Sequence, residues 1–343
     1  MNETDPDFCE TASLTYVICA IVQAIICCFG LVLNTVTIRI VWKTRKRCKL
    51  FDHLLICLLV FDCVVLLTAP IFLFGIRHKY FYCNACAYLV QYWSFPVGHM
   101  GTFGTILMTL AISHERYLAI KDPLHHNQSL IEESDQRKRL ITYLIPTLLL
   151  SVGANIPRFF AFKVEKEGNH TELLLDLGCN ENYLFYYTFL FNTIPFGVIP
   201  CGLLIFFGFR THKRLRDQHN QLRRSSIHNL EDNERNRITN TLKRQEEEEM
   251  AKVMVAIVAV FIITHFSRFF LHTLDGITME RWDRCNQNRR RTGKEDKYLL
   301  AVGISIFMEI INSSIGPIVY SVIYPTFRNE LANRFKTITT ICQ

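Results

Sequence analysis

Long apolar blocks alternate with short polar stretches along the whole chain. Seven blocks are long enough to cross a hydrocarbon core, which takes about 20 apolar residues as helix. They cover 16–42, 51–76, 88–120, 140–162, 183–209, 250–274 and 298–323. The second, fifth and sixth are nearly free of internal charge. A soluble helix shows a polar stripe at helical period, and these segments do not. The pattern therefore predicts an all-α membrane protein, a seven-transmembrane helix bundle. Its parts are an N-terminal segment 1–15, the bundle 16–323 and a tail 324–343.

Charge sets the expected orientation. Residues 1–15 carry Glu3, Asp5, Asp7 and Glu10 and no Lys or Arg, whereas the next loop reads KTRKRCK. The positive-inside bias puts the N-terminus outside and that loop in the cytoplasm. The basic 210–244 stretch and the tail then also fall inside, while the basic loop 281–297 falls outside, against the bias. Without a basic start of its own, the N-terminal segment leaves the first span to act as an uncleaved signal. The net charge of +7 mostly reflects inner loops that face anionic lipid heads and acidic partners, and nucleic acid is not an expected partner. The chain is 343 residues long and 50% hydrophobic, which excludes both disorder and a disulfide miniprotein.

Sequons at Asn2 and Asn169 fall outside on this topology and are candidate glycosylation sites. Segment 210–249 is a polar, solvated extension, with Ser225 and Ser226 beside Arg223 and Arg224 as phosphorylation candidates. Of the 13 cysteines, several lie in spans as apolar fillers. Cys9, Cys83, Cys86, Cys179 and Cys285 face the oxidising exterior. A disulfide between Cys86 and Cys179 is expected, with Cys83 as the competing partner. The CNAC at 83–86 has no matching second ligand pair, so no metal site is expected.

A charge in hydrocarbon costs several kcal/mol unless paired or hydrated, so polar residues inside spans are functional candidates. Asp62, Asn34, Asn312 and Ser313 compose one such set, able to hold water or a sodium ion or to form a structural hydrogen-bond knot. Glu309 lies one turn further towards the outside, at a depth similar to Arg268 and His99. Two readings stand here: an internal Glu309–Arg268 ion pair, or a Glu309 that receives a cationic ligand group. An aromatic wall of Trp93, Phe159 and Phe269 is expected around it.

These residues, in this order, resemble the rhodopsin-like (class A) G-protein-coupled receptors over nearly the whole chain. The resemblance is carried by Asn34, Asp62, Glu115-Arg116-Tyr117, Pro200, and the GPIVY that holds Pro317 and Tyr320. YPTFRNEL beyond it looks like a short amphipathic eighth helix. The resemblance implies that Arg116 is held at rest by Glu115 and by Glu247 at the inner end of the sixth span. It also implies a core switch of Ile106, Pro200 and Phe261, a heterotrimeric G protein as inner partner, and the plasma membrane as location. The departures are specific. Thr264-His265-Phe266-Ser267 replaces the tryptophan-and-proline toggle, Gly316 replaces an asparagine that helps hold sodium, and Gln91 stands where the family has the cysteine.

The helix-three aspartate of amine receptors is Gly98 here. NIPRFFAF (155–162) and the stretch through ISHERYLAI are similar to invertebrate FMRFamide-type neuropeptide receptors. That resemblance implies an extracellular peptide, of Arg-Phe-amide type, whose cation suits Glu309. A chemosensory receptor for small molecules is the alternative. A transporter or channel would show inverted repeats, and none is visible. No nucleophile, base and orienting group assemble, and HERYL is not the zinc-binding HExxH, so enzymatic activity is not expected.

Overall fold

The computed structural model describes residues 6–43, 50–77, 80–81, 88–121, 133–167, 170–175, 180, 182–225, 255–268, 270–271, 273 and 293–323. Its helices are α1 (Pro6–Lys43), α2 (Leu50–Arg77), α3 (Phe95–Lys121), α4 (Glu133–Asn155), α5 (Ile199–Ser225), α6 (Val255–Arg268) and α7 (Gly293–Ile323). Five stretches of these are long and apolar enough by themselves to cross a bilayer, and Val255–Arg268 is a shorter apolar helix. The remaining crossing, 183–209, is broken at its start into two wide π-helical turns, Tyr183–Phe191 and Ile194–Val198, before α5 begins. Pro195 and Pro200 lack an N–H and clash with the preceding turn, and widened turns absorb that misfit. A third π turn, Leu89–Ser94, enters α3 just before Pro96. α1 starts well before the expected first span, with Pro6 at its first position, where the missing N–H has no intrahelical partner to lose.

The bundle is arranged for a lipid solvent. Ile25, Phe29, Val32, Leu149, Phe209, Ile263 and Phe266 lie exposed on its outside. Asn34, Asp62, Thr68, Thr105, Thr109 and Ser113 are buried within it. Hydrocarbon offers no hydrogen bonds, so polar side chains turn inward and bond to protein. Along α3 this is literal: Thr102, Thr109 and Ser113 each donate to the carbonyl four residues back, at 3.1, 2.7 and 2.8 Å.

α3 is the central rod and packs against α2, α4 and α5, while α7 packs against α1 and α2. Small residues make the closest of these approaches. A Cβ on Gly101 would lie 3.0 Å from Val65, and one on Gly104 would lie 2.1 Å from the nearest Phe61 ring carbon. With no apolar driving force between helices in lipid, such close van der Waals contact is what holds them.

The all-α expectation holds for the bundle, with one addition. β1 (Tyr80–Phe81), β2 (Phe162–Glu167) and β3 (His170–Leu175) form an antiparallel sheet in the order β1-β3-β2. Glu167 pairs with His170 and Tyr80 with Glu172. The sequence between β2 and β3 is Gly168-Asn169, a two-residue hairpin signal. The sheet ties the connection after α2 to the connection after α4, at one end of the bundle. Cys86, Cys179, Asn2 and Asn169 lie outside the described residues.

Candidate functional site

Three polar layers run through the bundle core. At the sheet end, α7 contributes Glu309, α6 Arg268 and α3 His99. The Arg268 guanidinium bonds Glu309 Oε1 through Nη1 and meets His99 Nδ1 through Nη2. Arg268 and Glu309 side chains are only 10% and 14% exposed. A charge this deep is stable only when paired, and the pairing clamps three helices together. Of the two readings of Glu309, the geometry displays the internal ion pair. His99 is fixed from behind by Phe95, whose ring it meets edge-on at 4.8 Å.

Arg158 forms the side wall of this layer, 4% exposed on the turn Ile156–Phe160 that ends α4. Its Nε donates to Asn155 Oδ1 at 2.8 Å, and its guanidinium lies 5.6 Å from the Phe95 ring centre and 5.5 Å from that of Tyr187. Tyr187 in turn donates to the Ala154 carbonyl at 2.6 Å. The proline of NIPRFF ends the α-helix, and the tighter 3-10 turn carries Arg158 into the core. The expected aromatic wall is different in part. Trp93, on the π turn Leu89–Ser94, is 54% exposed, and Phe269 lies outside the described residues. Phe95 and Tyr187 supply the rings instead.

The middle layer surrounds a cavity lined by Asp62, Thr105, Thr109, Phe261, Asn312 and Gly316. Water centres can occupy about 30 Å³ of it, room for about two waters. Asp62 accepts from Thr105 at 3.0 Å and from the Ser313 hydroxyl. Asn34 donates to the Ser313 carbonyl at 2.9 Å, so it braces α7 and does not reach the carboxylate itself. The Thr264 hydroxyl lies 3.2 Å from Asn312 Oδ1. Asp62, Asn312 and Ser313 therefore converge as expected, with Thr105 and Thr264 as members the sequence reading missed.

Ile106 and Phe261, 4% and 2% exposed, share one apolar core with Leu204. Pro200 is buried on the first turn of α5, and Pro317 is buried inside α7. The His265 ring lies 4.1 Å from that of Phe261, and its Nε2 has no hydrogen-bond partner among the described residues. His265 thus packs on Phe261 of the core trio, at the position where the family resemblance called for a tryptophan. The backbone of Tyr320 belongs to α7; its side chain and Glu247 lie outside the described residues.

At the opposite end Glu115 is 3% exposed. Its Oε2 accepts from Tyr143 Oη at 2.9 Å and faces Arg139 Nε at 3.4 Å, both from α4. The Arg116 guanidinium lies 3.7 Å over the buried Phe51 ring of α2, a cation–π contact. Tyr117 packs on Phe206 and Phe207 of α5. Successive helical residues point about 100° apart, so the three motif residues address three different helices. Tyr143 and Arg139 were missed because nothing in a single apolar span says which residue on a neighbouring helix it will face.

A bundle of long apolar helices, with polar layers at both ends and a buried carboxylate between them, defines a multi-helix membrane protein. Residues 33–320 match the family model described as the seven-transmembrane receptor of the rhodopsin family, and the chain belongs to that family. It is similar to human C-C chemokine receptor type 4, at 23% identity over 327 residues, spanning 92% of this chain and 78% of the relative. The family places the protein in the membrane with an extracellular ligand and G-protein-coupled signalling.

Proposed function

We propose that the protein is a plasma-membrane receptor for an extracellular peptide carrying a cationic, aromatic end such as Arg-Phe-amide, and that it activates a heterotrimeric G protein. The N-terminus and the sheet end then face outside, and the Glu115 end faces the cytoplasm. The observation that carries the reading is the buried Arg268–Glu309 pair with His99, which joins α6, α7 and α3. A ligand guanidinium competes with Arg268 for Glu309, and the released Arg268 no longer clamps α6. His265 and Phe261 pass the change to the core. At the inner face Glu115, which bonds Tyr143 of α4 while Arg116 lies over Phe51, is the acid that draws Arg116 back in the resting packing, and the outward movement of α6 exposes the arginine to the G protein. Agonist acts only to the degree that it binds the unclamped packing better than the clamped one.

The human relative is named for C-C chemokines, which favours a polypeptide over a small odorant. The oxygen set of Asp62, Thr105, Ser313 and Asn312 suits a sodium ion beside the carboxylate, which would supply the cation a buried Asp62 lacks. The test is G-protein activation by cells presented with an amidated peptide library, with Arg116→Ala as the silent control. A surface-expressed receptor that answers small volatile molecules and no peptide would overturn the ligand class.

A further inference from the structure

We infer that Tyr143 and Arg139 of α4, set by His114 of α3, form a clasp that competes with Arg116 for the Glu115 carboxylate. The inference rests on the reading of Glu115 as the restraint on Arg116. Glu115 faces α4, and its Oε2 receives the Tyr143 hydroxyl at 2.9 Å and faces Arg139 Nε at 3.4 Å. Arg116 points the other way, over Phe51 at 3.7 Å. Every donor that α4 gives to Glu115 disperses charge that would otherwise draw Arg116 back from that ring. The clasp thereby makes the restraint releasable.

His114 decides which way the clasp points. Its Nδ1 lies 3.0 Å from Tyr143 Oη, and its ring packs edge-on against Phe207 of α5 at 5.3 Å. A tyrosine hydroxyl has one proton to give. With that proton on Glu115, His114 must carry its hydrogen on Nδ1 and donate to Tyr143. The chain then runs His114 to Tyr143 to Glu115, each group donating to the next. With the hydrogen on Nε2, the tyrosine proton is drawn to His114 and Glu115 loses a donor. His114 is thus a positioning residue that acts through Tyr143.

The test measures nucleotide exchange on a purified heterotrimer by ligand-free receptor in lipid nanodiscs. Glu115→Gln raises the rate, since the restraint is gone. Tyr143→Phe lowers it by roughly three- to tenfold, the span of one hydrogen bond when tenfold is about 1.4 kcal/mol. The double variant matches Glu115→Gln alone, a coupling that general loss of packing does not produce. His114→Phe lowers the rate in the same direction, and His114→Asn, which places an amide near Nδ1, restores it. Nitrogen-15 spectra of labelled histidine show His114 protonated at Nδ1, and Tyr143→Phe perturbs that signal. A rate that rises or stays level in Tyr143→Phe while Glu115→Gln raises it overturns the clasp and leaves the latch standing. An unchanged rate in Glu115→Gln overturns both. A neutral His114 protonated at Nε2 overturns the clasp whatever the rates.

Discussion

Replacing Arg268 by leucine tests the sheet-end triad directly. The substitution keeps much of the apolar volume and removes the guanidinium that bonds both Glu309 and His99. Both ends of the ion pair are nearly buried, at 10% and 14% exposure, so water does not replace the lost partner. Breaking a buried pair by deleting one member costs about 3–5 kcal/mol, because the other charge stays behind uncompensated. At about 2 °C per kcal/mol for a chain of this size, the ligand-free unfolding midpoint falls by roughly 6–10 °C. Removing both members, Arg268→Leu with Glu309→Leu, recovers most of the loss, since two apolar side chains of similar size often match a buried ion pair. Thermal unfolding in nanodiscs, followed by reaction of the buried cysteines with a thiol dye, reads both midpoints. An Arg268→Leu midpoint equal to the parent, or a double variant lower than the single, would refute the pairing as the helix clamp.

Gly104→Val drives two methyl groups into the Phe61 ring and costs about 1–3 kcal/mol through separation of α2 from α3. The same thermal assay checks it, with Gly153→Val, where a Cβ meets nothing, as the neutral control. Thr105→Val strips a donor from the buried Asp62 and costs about 0.5–1.5 kcal/mol, the net worth of one hydrogen bond. Sodium chloride raises the parent midpoint relative to potassium chloride if the cavity holds sodium, and Asp62→Asn abolishes that difference. Glu115→Gln raises ligand-free nucleotide exchange; an unchanged rate at normal surface expression refutes the restraint on Arg116.

The sequence read out the bundle because membrane crossing is a local property. Each of the segments 51–76, 88–120 and 298–323 must satisfy its own backbone in hydrocarbon, so length and apolarity alone mark it as helix. The same logic singled out Asp62, Arg268 and Glu309, since a charge inside such a run demands a partner wherever it ends up. The hairpin after α4 was legible too in principle, from Gly168-Asn169 between flanking strands, but its pairing with Tyr80–Phe81 joins segments far apart in the chain.

Partnership is what the tertiary structure alone decided. Whether Glu309 faced Arg268 or was left open to a ligand's cationic group depended on how α6 and α7 rotate about their own axes, and that rotation is set by packing. Trp93 left the expected aromatic wall because a π turn before Pro96 shifts every side chain's bearing on that stretch. Glu115 and Arg116 are neighbours in the chain, yet about 100° of helical turn sends one to Tyr143 on α4 and the other to Phe51 on α2. One helix fixes which residues carry chemistry and at what depth in the membrane. Only the assembled bundle fixes what each of them touches, because an interhelical contact is made by two surfaces and a single segment specifies one.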